Sequence, residues 1–286
     1  MKESWNVKEV LEWTGEYLKE GGVERARLEA ETLLAHALKV DRLQLYLNPE
    51  RPLEEEELDR YRPLIKKRRE GTPLQYVTGK VNFMGFPLKV DKRALIPRPE
   101  TEELTEEILD AHRGKEGLKV LDLGTGTGAI VIALAKFLVG GELSAVDIDE
   151  ETLQLATENA EMNDVREEIS FILSDWFEEV EGEFDLIVSN PPYVSASELE
   201  ELDPQITDHE PRRALDGGEG GLEEIDRILK AAPPYLNPEG RLYLEIGAQQ
   251  GEEVEEIVGG IAELEQAKLL QDTGGQDRII AVDRKT

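Results

Sequence analysis

The stretch LKVLDLGTGTGAIVIALAKFL, residues 118–138, decides the fold class of this chain. Its apolar beginning predicts a buried strand over 118–121, and its apolar end predicts a helix over 128–138. Between the two, three glycines at alternate positions allow the backbone to turn sharply and a ligand to approach it closely. A strand that runs through a glycine-rich loop into a helix is typical of a parallel α/β sheet with a ligand at this turn.

Strands and helices continue to alternate toward the C-terminus. Further strands are predicted over 143–146, 169–173, 184–188 and 241–246. Helices are predicted over 102–112, 151–162, 222–232 and 252–264. Two last strands are predicted over 267–271 and 278–282, and they pair antiparallel because no clear helix separates them. The pattern predicts an α/β fold with a mostly parallel seven-stranded sheet, helices on both faces and a closing antiparallel hairpin.

The first 72 residues carry a different pattern, which is helical and free of strands. Helices are predicted over 7–18, 24–38 and 42–47, and a fourth from residue 53 onward. We expect Pro63 to kink or break this fourth helix, because proline removes a backbone donor and clashes with the preceding turn. Residues 1–72 are therefore predicted to form a small helical bundle.

A short extended segment follows the bundle. Residues 75–77 and 81–83 are predicted to pair as a hairpin, and 86–90 is a candidate third strand. We interpret residues 73–97 as a β-hairpin linker between two domains. The larger domain is then expected to comprise residues 98–286.

The composition narrows the classes of function. The 286 residues contain no cysteine, which excludes disulfides, thiolate metal sites and a cysteine nucleophile. The three histidines are far apart and show no ligand spacing, so no metal site is predicted. The N-terminus has no apolar core of signal-peptide length, and the longest apolar stretch, 129–139, is interrupted by Lys136. That stretch is too short to span a bilayer, so we expect a cytoplasmic protein without a membrane segment.

The net charge is strongly negative. The chain has 63 Asp and Glu residues against 33 Lys and Arg, a formal net charge of −30 at pH 7. Such a charge repels nucleic-acid backbones unless basic residues are clustered, so direct DNA binding is not expected. The best cluster, residues 66–69, is short, and we interpret it as the solvated end of a helix, where cations favour the negative pole.

The glycine loop has a spacing that disfavours a dinucleotide. Its sequence, Asp122-Leu123-Gly124-Thr125-Gly126-Thr127-Gly128, has the pattern G-x-G-x-G, whereas dinucleotide sites use G-x-G-x-x-G. Asp122 precedes the first glycine by two residues, where a carboxylate would repel a pyrophosphate. It would suit a ligand that carries a cationic amine and a sulfonium. A purely structural tight turn is the alternative for this loop.

The next two strands also end in acidic side chains. Asp147 lies about 20 residues after the glycines, where a carboxylate can accept the hydrogens of both ribose hydroxyls. Either Asp147 or Asp149 could cap the following helix, and we favour Asp147 for the ribose and Asp149 for the cap. Asp175 could accept a hydrogen bond from an adenine amino group, and Trp176 could line the face of the ring. The alternative is a helix cap beside a packed indole.

The fourth strand ends in Asn190-Pro191-Pro192-Tyr193. The two prolines end the strand, because neither has an N–H to donate to the sheet. The side-chain carbonyl of Asn190 and the backbone carbonyl of Pro191 can face one way, and together they can bind both hydrogens of one planar NH2 group. Tyr193 can pack on the flat group that carries this nitrogen. Such preorganised dipoles suit a transfer reaction at that nitrogen, and a merely structural turn is the alternative.

These motifs carry a family resemblance. The chain resembles, over nearly its whole length, the HemK-type N5-glutamine methyltransferases that modify peptide-chain release factors. The segments that carry it are Leu95–Thr101, Asp122–Gly128, Asp147, Asp175-Trp176, Asn190–Tyr193, Glu210-Pro211, Ala214-Leu215, Gly217-Gly218, Gly220–Leu222 and Leu244–Gly247. The Asn-Pro-Pro-Tyr motif alone is shared with adenine-N6 DNA methyltransferases. The Ile-Pro-Arg-Pro-Glu-Thr loop, residues 96–101, is more specific when it accompanies the N-terminal bundle.

The resemblance implies a Rossmann-like class I methyltransferase. It would transfer the methyl group of S-adenosyl-L-methionine to the side-chain amide nitrogen of the glutamine in a Gly-Gly-Gln tripeptide. The implied cofactor-binding residues are Asp122, Gly124, Thr125, Gly126, Thr127, Gly128, Asp147, Asp175, Trp176 and Asn190. The implied substrate-binding residues are Arg98, Asn190, Pro191, Pro192 and Tyr193, of which Asn190, Pro191 and Tyr193 would be catalytic. No metal is needed, because the sulfonium makes the methyl carbon electrophilic, and no general base is apparent.

The resemblance also bears on partners. Residues 1–72 contain none of the cofactor or amide motifs, so we predict that they dock the release factor; a lid that only stabilises the larger domain is the alternative. We expect a monomer. The chain itself contains Gly274-Gly275-Gln276, which we interpret as a turn before the last strand and not as a substrate.

Three other functions compete with this hypothesis. An adenine-N6 nucleic-acid methyltransferase would use the same amino-group chemistry, but the charge of −30 opposes it. An NAD-dependent dehydrogenase is opposed by the glycine spacing and by Asp122. A non-catalytic S-adenosylmethionine-binding adaptor is opposed by the intact segment 190–193.

Overall fold

The computed structural model describes residues 5–285, so the predicted domain limits at residues 1 and 286 lie outside it. Over the described range the chain forms twelve α-helices and nine β-strands. The helices are α1 Val7–Glu20, α2 Ala26–Leu38, α3 Gln44–Leu47, α4 Glu55–Arg69, α5 Leu74–Thr78, α6 Pro99–Ala111, α7 Ala129–Phe137, α8 Glu150–Met162, α9 Ala196–Glu201, α10 Pro204–Thr207, α11 Glu223–Ala231 and α12 Gly251–Gly259. The strands are β1 Lys80–Phe83, β2 Phe86–Lys89, β3 Lys119–Leu123, β4 Glu142–Asp147, β5 Ile169–Leu173, β6 Phe184–Ser189, β7 Leu236–Glu245, β8 Leu264–Gln271 and β9 Asp277–Arg284.

The chain divides into two compact units. The first, which we call the helical unit, comprises the described residues up to Gly79 together with Pro204–His209. The second, the sheet unit, comprises Lys80–Asp203 and the described residues from Glu210 onward. Helix α10 therefore belongs to the helical unit although it lies far along the sequence. Helices α9 and α10 were not predicted, because their segment has no sustained apolar periodicity.

The helical unit forms around the apolar faces of α1, α2 and α4. Helix α1 begins at a capping box, in which the Asn6 side chain accepts from the Glu9 amide and the Glu9 carboxylate accepts from the Asn6 amide. Its buried side chains are Val7, Val10, Leu11, Thr14 and Leu18, the set expected from the helical spacing. The exposed residues between them are mostly charged, so α1 has one apolar face and packs through it.

The expected break at Pro63 is wrong, because α4 continues through this residue to Arg69. Leu58 and Tyr61 before the proline and Ile65 after it are all buried in the same core. The Tyr61 hydroxyl also donates to the Ala30 carbonyl at 3.0 Å. Burial on both sides of Pro63 outweighs the one backbone hydrogen bond that proline removes.

The predicted strand over 75–77 is also wrong, because these residues lie in helix α5. Pro73 stands at its N-cap, and the Thr78 hydroxyl donates back to the Leu74 carbonyl at 3.1 Å. Gly79 ends the helix with a φ of 71°, a left-handed conformation that suits glycine. Val77 packs into the core of the helical unit. This burial selects helix over strand in a segment too short for its periodicity to decide.

The basic residues 66–69 lie in the last turn of α4, as the helix-end interpretation expects. Arg68 is buried and pairs with Glu29, and the guanidinium of Arg69 lies 3.8 Å from the centroid of the Tyr17 ring. Lys66 also pairs with Glu70 at 3.8 Å, so three of the four cations have partners within the helical unit.

The sheet unit contains the predicted seven-stranded sheet, in the order β5-β4-β3-β6-β7-β9-β8. Strands β3 to β7 run parallel to one another, and β9 runs antiparallel to both β7 and β8. The central register pairs Leu123 with both Val146 and Ser189, and Ser189 with Leu244. The carboxyl ends of β3, β4, β6 and β7 are therefore level, which places their following residues along one edge.

Helices cover both faces of this sheet. One core cluster joins α6, α7 and α8 to alternate sheet residues such as Val120 and Val188. The other joins α11 and α12 to the residues that point the opposite way, such as Leu121 and Ile187. Burial on both faces is the usual condition for a parallel sheet.

A two-stranded hairpin, β1 and β2, precedes the sheet. Strand β1 pairs antiparallel with β2 from Lys80 opposite Lys89 to Phe83 opposite Phe86. The turn residues Met84 and Gly85 have φ values of 45° and 86°, as a type I′ turn requires. The predicted strand over 81–83 and the candidate strand over 86–90 are thus confirmed, but 81–83 pairs with 86–89 and not with residues 75–77.

Candidate functional site

A pocket opens at the level carboxyl ends of the parallel strands, within the sheet unit. Its volume is about 570 Å³, in the range of small-molecule sites. The predicted site residues that line it are Gly124, Thr125, Gly126, Thr127, Asp147, Asp175, Trp176, Asn190 and Pro192. Four strand ends that are distant in sequence therefore contribute to one cavity. The remaining predicted residues, which do not line it, are Arg98, Asp122, Gly128, Pro191 and Tyr193.

The glycine loop is built so that only glycine fits at two of its positions. Gly124 has a φ of 66°, and a Cβ there would lie 3.2 Å from the Trp176 ring. Gly128 has a φ of 80°, and a Cβ there would lie 3.1 Å from Ile132 and 3.2 Å from Ala156. The first glycine admits the indole beside the pocket, and the last brings α7 against α8.

Asp122 lies behind this loop and is only 1% exposed. The Thr125 hydroxyl donates to its Oδ2 at 2.6 Å. Burial raises the pKa of Asp122 to about 7, since the charged carboxylate is costly in this position. A cation in the neighbouring pocket would favour its ionised form.

Asp147 and Asp149 lie in different surroundings. Asp149 caps α8 by accepting from the Thr152 amide at 2.9 Å, which confirms the expected cap. Asp149 also pairs with Arg213 at 2.7 Å, and this guanidinium lowers the pKa of Asp149 to about 2. Asp147 lines the pocket and accepts from the Gly126 and Asp149 amides, each at 3.1 Å. Burial raises the pKa of Asp147.

Asp175 and Trp176 form the far wall of the pocket. Both carboxylate oxygens of Asp175 accept from Nη2 of Arg227, each at 3.1 Å. The indole Nε1 of Trp176 donates to Glu224 at 2.5 Å, which fixes the plane of the ring. Arg227 and Glu224 also line the pocket, so this wall carries a network of alternating charges.

Asn190 is held from the side opposite to the glycine loop. Its Nδ2 donates to the Thr101 hydroxyl at 3.0 Å, and that hydroxyl donates to Oε2 of Glu245 at 2.7 Å. The Tyr193 hydroxyl donates to the other oxygen of Glu245 at 3.0 Å. Tyr193 therefore reaches the same carboxylate from behind the pocket surface. Burial raises the pKa of both Tyr193 and Glu245, although the charge of Arg278 opposes this at each.

Arg98 is bound to a neighbouring carboxylate. Its Nη2 lies 2.6 Å from Oε1 of Glu210, whose side chain is 2% exposed. The other oxygen of Glu210 accepts from the Ile96 amide at 3.3 Å. The residues after Glu210 form a wall of the pocket, in which Pro211 and Arg213 take part. In this arrangement the Ile-Pro-Arg-Pro-Glu-Thr loop contributes Thr101 to the pocket, and Arg98 anchors the wall.

The segment after Tyr193 is tied into the same edge. The amide of Val194 donates to the Leu215 carbonyl, and the amide of Gly217 donates to the Val194 carbonyl, each at 2.9 Å. The Gln250 side chain donates to the Tyr193 carbonyl at 2.9 Å and to the Gly221 carbonyl at 3.1 Å. These contacts hold the residues that follow the Asn-Pro-Pro-Tyr turn.

Several residues at the site were not assigned from the sequence. Thr101 and Glu245 were quoted only within longer motifs, and Arg213, Glu224 and Arg227 were not singled out. One signal was available for Glu245, a lone carboxylate in the apolar run 242–246 that reads Leu-Tyr-Leu-Glu-Ile. An acid in a strand buried on both faces needs polar partners, which indicates a specific role.

The described residues contain neither a helix long and apolar enough to cross a membrane nor a group of three or more His, Cys, Asp or Glu that could hold a metal ion.

Comparisons with known proteins match this architecture. The family described as PrmC N-terminal domain matches residues 9–79, and the family described as Methyltransferase small domain matches residues 101–269. The crystal structure of a methyltransferase from Pyrococcus furiosus has a TM-score of 0.53, at 22% identity over 71% of this chain and 90% of that chain. At this identity the likeness supports the fold alone.

Curated relatives match nearly the whole length. The release factor glutamine methyltransferase of Geobacter sulfurreducens is 42% identical, over 97% of this chain and 96% of the relative. The protein of the same name from Chlorobaculum tepidum is 38% identical, over 96% of each chain. The chain therefore belongs to the release factor glutamine methyltransferase family.

Proposed function

We propose that this protein transfers a methyl group from S-adenosylmethionine to the side-chain amide nitrogen of the glutamine in the Gly-Gly-Gln motif of a peptide-chain release factor. Family membership supports the reaction and the class of substrate. The observation that carries the proposal for this chain is Asn190, whose side chain lies at the pocket edge and is held there by Thr101.

The pocket lining fits S-adenosylmethionine, which supplies an electrophilic methyl carbon when bound. Asp147 suits the ribose, because an ionised carboxylate has about four lone-pair sites and two backbone amides use only two of them. The glycine loop admits close approach of a ligand. Trp176 offers a flat apolar face, and Asp175 keeps acceptor capacity beside Arg227. Asp122, behind the loop, balances the positive charge of the ligand. We call this the cofactor side.

The opposite edge suits a planar amide. Asn190, with the backbone carbonyl of Pro191 beside it, accepts the hydrogens of the glutamine NH2 group. Pro192 at the pocket surface restricts the position of the amide plane, and Tyr193 supports this turn from behind. An amide nitrogen is a poor nucleophile because its lone pair is delocalised. Orientation against fixed dipoles is therefore the main contribution that the protein can make. We call Asn190, Thr101, Tyr193 and Glu245 the amide side.

The helical unit serves substrate recognition in this proposal. No residue of the helical unit lines the pocket among the described residues, yet the unit has its own core. Its short helix α3 carries exposed apolar side chains at both ends: Leu43, the N-cap residue, is 76% exposed and Leu47 is 82% exposed. On an enzyme that acts on a protein, an exposed apolar patch is a candidate contact surface for that substrate. We infer that α3 contacts the release factor at a distance from its glutamine.

The experiment is methylation with labelled S-adenosylmethionine. The candidate substrates are an unmodified release factor, the same factor with the Gly-Gly-Gln glutamine replaced by alanine, and DNA in single- and double-stranded form. We expect label on the first substrate alone. Label on DNA would favour adenine methylation, and equal label on both release factors would exclude the glutamine as the acceptor.

A further inference from the structure

The carboxamide of Asn190 has two orientations of nearly equal shape. In one, Oδ1 faces the pocket and can accept hydrogens from a substrate NH2 group. In the other, Nδ2 faces the pocket and would repel the same group, because two donors would meet. The proposed reaction therefore requires that one orientation be selected, and the neighbouring side chains decide which.

Glu245 is the first of the side chains that restrict the orientation of the Asn190 carboxamide. Its side chain lies at the end of β7 and is fully buried, with 0% exposure. In its ionised form, which the charge of Arg278 favours, Glu245 has no hydrogen to donate, so it can only accept. Both of its oxygens are in contact with hydroxyl groups, one with Thr101 at 2.7 Å and the other with Tyr193 at 3.0 Å. Each hydroxyl must therefore direct its hydrogen toward Glu245.

Thr101 contacts both Glu245 and Asn190, so the orientation of its hydroxyl determines which atom of Asn190 can face it. A threonine hydroxyl carries one hydrogen, and Glu245 takes it. Oγ1 of Thr101 then has only lone pairs left, so toward the Asn190 carboxamide, 3.0 Å away, it can only accept. The atom of Asn190 that faces Thr101 must therefore be a donor. That atom is Nδ2, and Oδ1 is consequently turned away from Thr101.

We propose that Glu245, acting through Thr101, fixes the polarity of the Asn190 side chain and so selects a substrate group that donates hydrogens. This inference rests on the proposed function and adds two positioning residues to it. Neither residue needs to touch the methyl group or the substrate nitrogen. Their effect is on the orientation of a group that does.

The matched pair of variants is Thr101→Val and Thr105→Val. Thr105 lies one turn later on α6, is also fully buried, and donates only to the Thr101 carbonyl at 2.8 Å. Both changes remove a buried hydroxyl from the same helix with little change in shape. We expect Thr101→Val to lower kcat roughly 10- to 100-fold, as small losses of orientation do. Thr105→Val should retain kcat within about twofold, and Thr101→Ser should restore most of the activity.

Two further measurements separate positioning from general damage. The Kd for S-adenosylmethionine, measured by calorimetry, should change less than about twofold in Thr101→Val, which also reports that the pocket is folded. If Thr101→Val proved insoluble, Thr101→Ala would remove the same hydroxyl with a smaller side chain. The second measurement is a double-mutant cycle with Asn190→Ala. If Thr101 acts through Asn190, its substitution should have little further effect once Asn190 is absent.

The outcomes are distinct. An active wild-type enzyme together with an undiminished kcat in Thr101→Val would overturn the positioning role alone. The same fold loss from Thr101→Val in the wild-type enzyme and in the Asn190→Ala variant would show that Thr101 acts independently of Asn190, and would also overturn it. A wild-type enzyme that does not label the release factor glutamine would instead overturn the proposed function.

Discussion

The part of the cofactor side around Asp147 and the amide side of the pocket are built from contacts of very different range. On the cofactor side, Asp149 reaches an amide three residues away, and Asp147 reaches the amide of Gly126, 21 residues away. On the amide side, Asn190 reaches Thr101 across 89 residues, and Thr101 reaches Glu245 across 144. A loop and the next strand make the first set, whereas the second depends on three separate elements meeting at one edge.

The two sides also differ in electrostatics. On the cofactor side, Asp175 at the pocket wall is paired with Arg227, and Asp149, next to Asp147, is paired with Arg213. The amide side holds one fully buried carboxylate, Glu245, that is satisfied by two hydroxyls. Charged groups at a partly open surface tune binding, whereas buried oriented dipoles act on the reacting group. Substitutions on the first side should therefore alter cofactor affinity, and those on the second should alter turnover.

The largest effect is expected for Asn190→Ala. Loss of one preorganised polar group should lower kcat by roughly 10²-fold or more, because the substrate amide would lose its acceptor. The Kd for S-adenosylmethionine should change far less. Single-turnover methylation of the release factor, together with calorimetry of the cofactor, measures both quantities. Near-normal turnover would show that Asn190 does not orient the substrate amide.

The corresponding change on the cofactor side is Asp147→Ala. It should weaken S-adenosylmethionine binding by about 1.5–3 kcal/mol, the range for hydrogen bonds to a charged group. At saturating cofactor, kcat should fall much less than in Asn190→Ala. Calorimetry tests the affinity, with Asp149→Asn as a comparison that removes charge from the helix cap. An unchanged Kd in Asp147→Ala would show that another residue binds the ribose.

A smaller effect is expected for the helical unit. Replacing both Leu43 and Leu47 with glutamate should raise KM for the whole release factor by roughly tenfold, since truncated interface anchors typically cost about 1–2 kcal/mol. Methylation of a short Gly-Gly-Gln peptide should not change, because the peptide does not extend beyond the pocket. The exposed Val139 of the sheet unit, replaced with glutamate, is the control for added negative charge. Equal losses on peptide and whole protein would contradict docking at α3.

The smallest effect concerns Asp122 and pH. A cationic ligand favours the ionised carboxylate, and the pKa of about 7 means that ionisation rises across neutrality. Between pH 6.5 and 7.5 the ionised fraction increases about threefold, so the Kd for S-adenosylmethionine should tighten by up to about threefold as pH rises. Asp122→Asn should bind more weakly at pH 7.5 and lose this dependence. Calorimetry at the two pH values measures the change, and a Kd that weakened with rising pH would refute the assignment.

The sequence by itself determined the seven strands, including the closing hairpin, and the acidic residues near the ends of β3, β4 and β5. These features follow from short-range rules: the period of apolar residues, the conformational freedom of glycine and the chemistry of helix caps. The cap at Asp149 was predicted correctly for this reason. Prediction failed where burial overrode local preference, at Pro63 and over residues 75–77, since the core holds both segments in helix.

Only the tertiary structure decided the amide side. The level ends of β6 and β7 bring Asn190 and Glu245 to one edge, and the start of α6 brings Thr101 between them. No period or turn rule relates positions 89 or 144 residues apart, because their contact depends on strand order and on how helices cover the sheet. From the sequence, Asn190 could therefore be proposed as the group that orients an amide. The buried carboxylate that we propose to set the direction of its carboxamide comes within reach only in the folded chain.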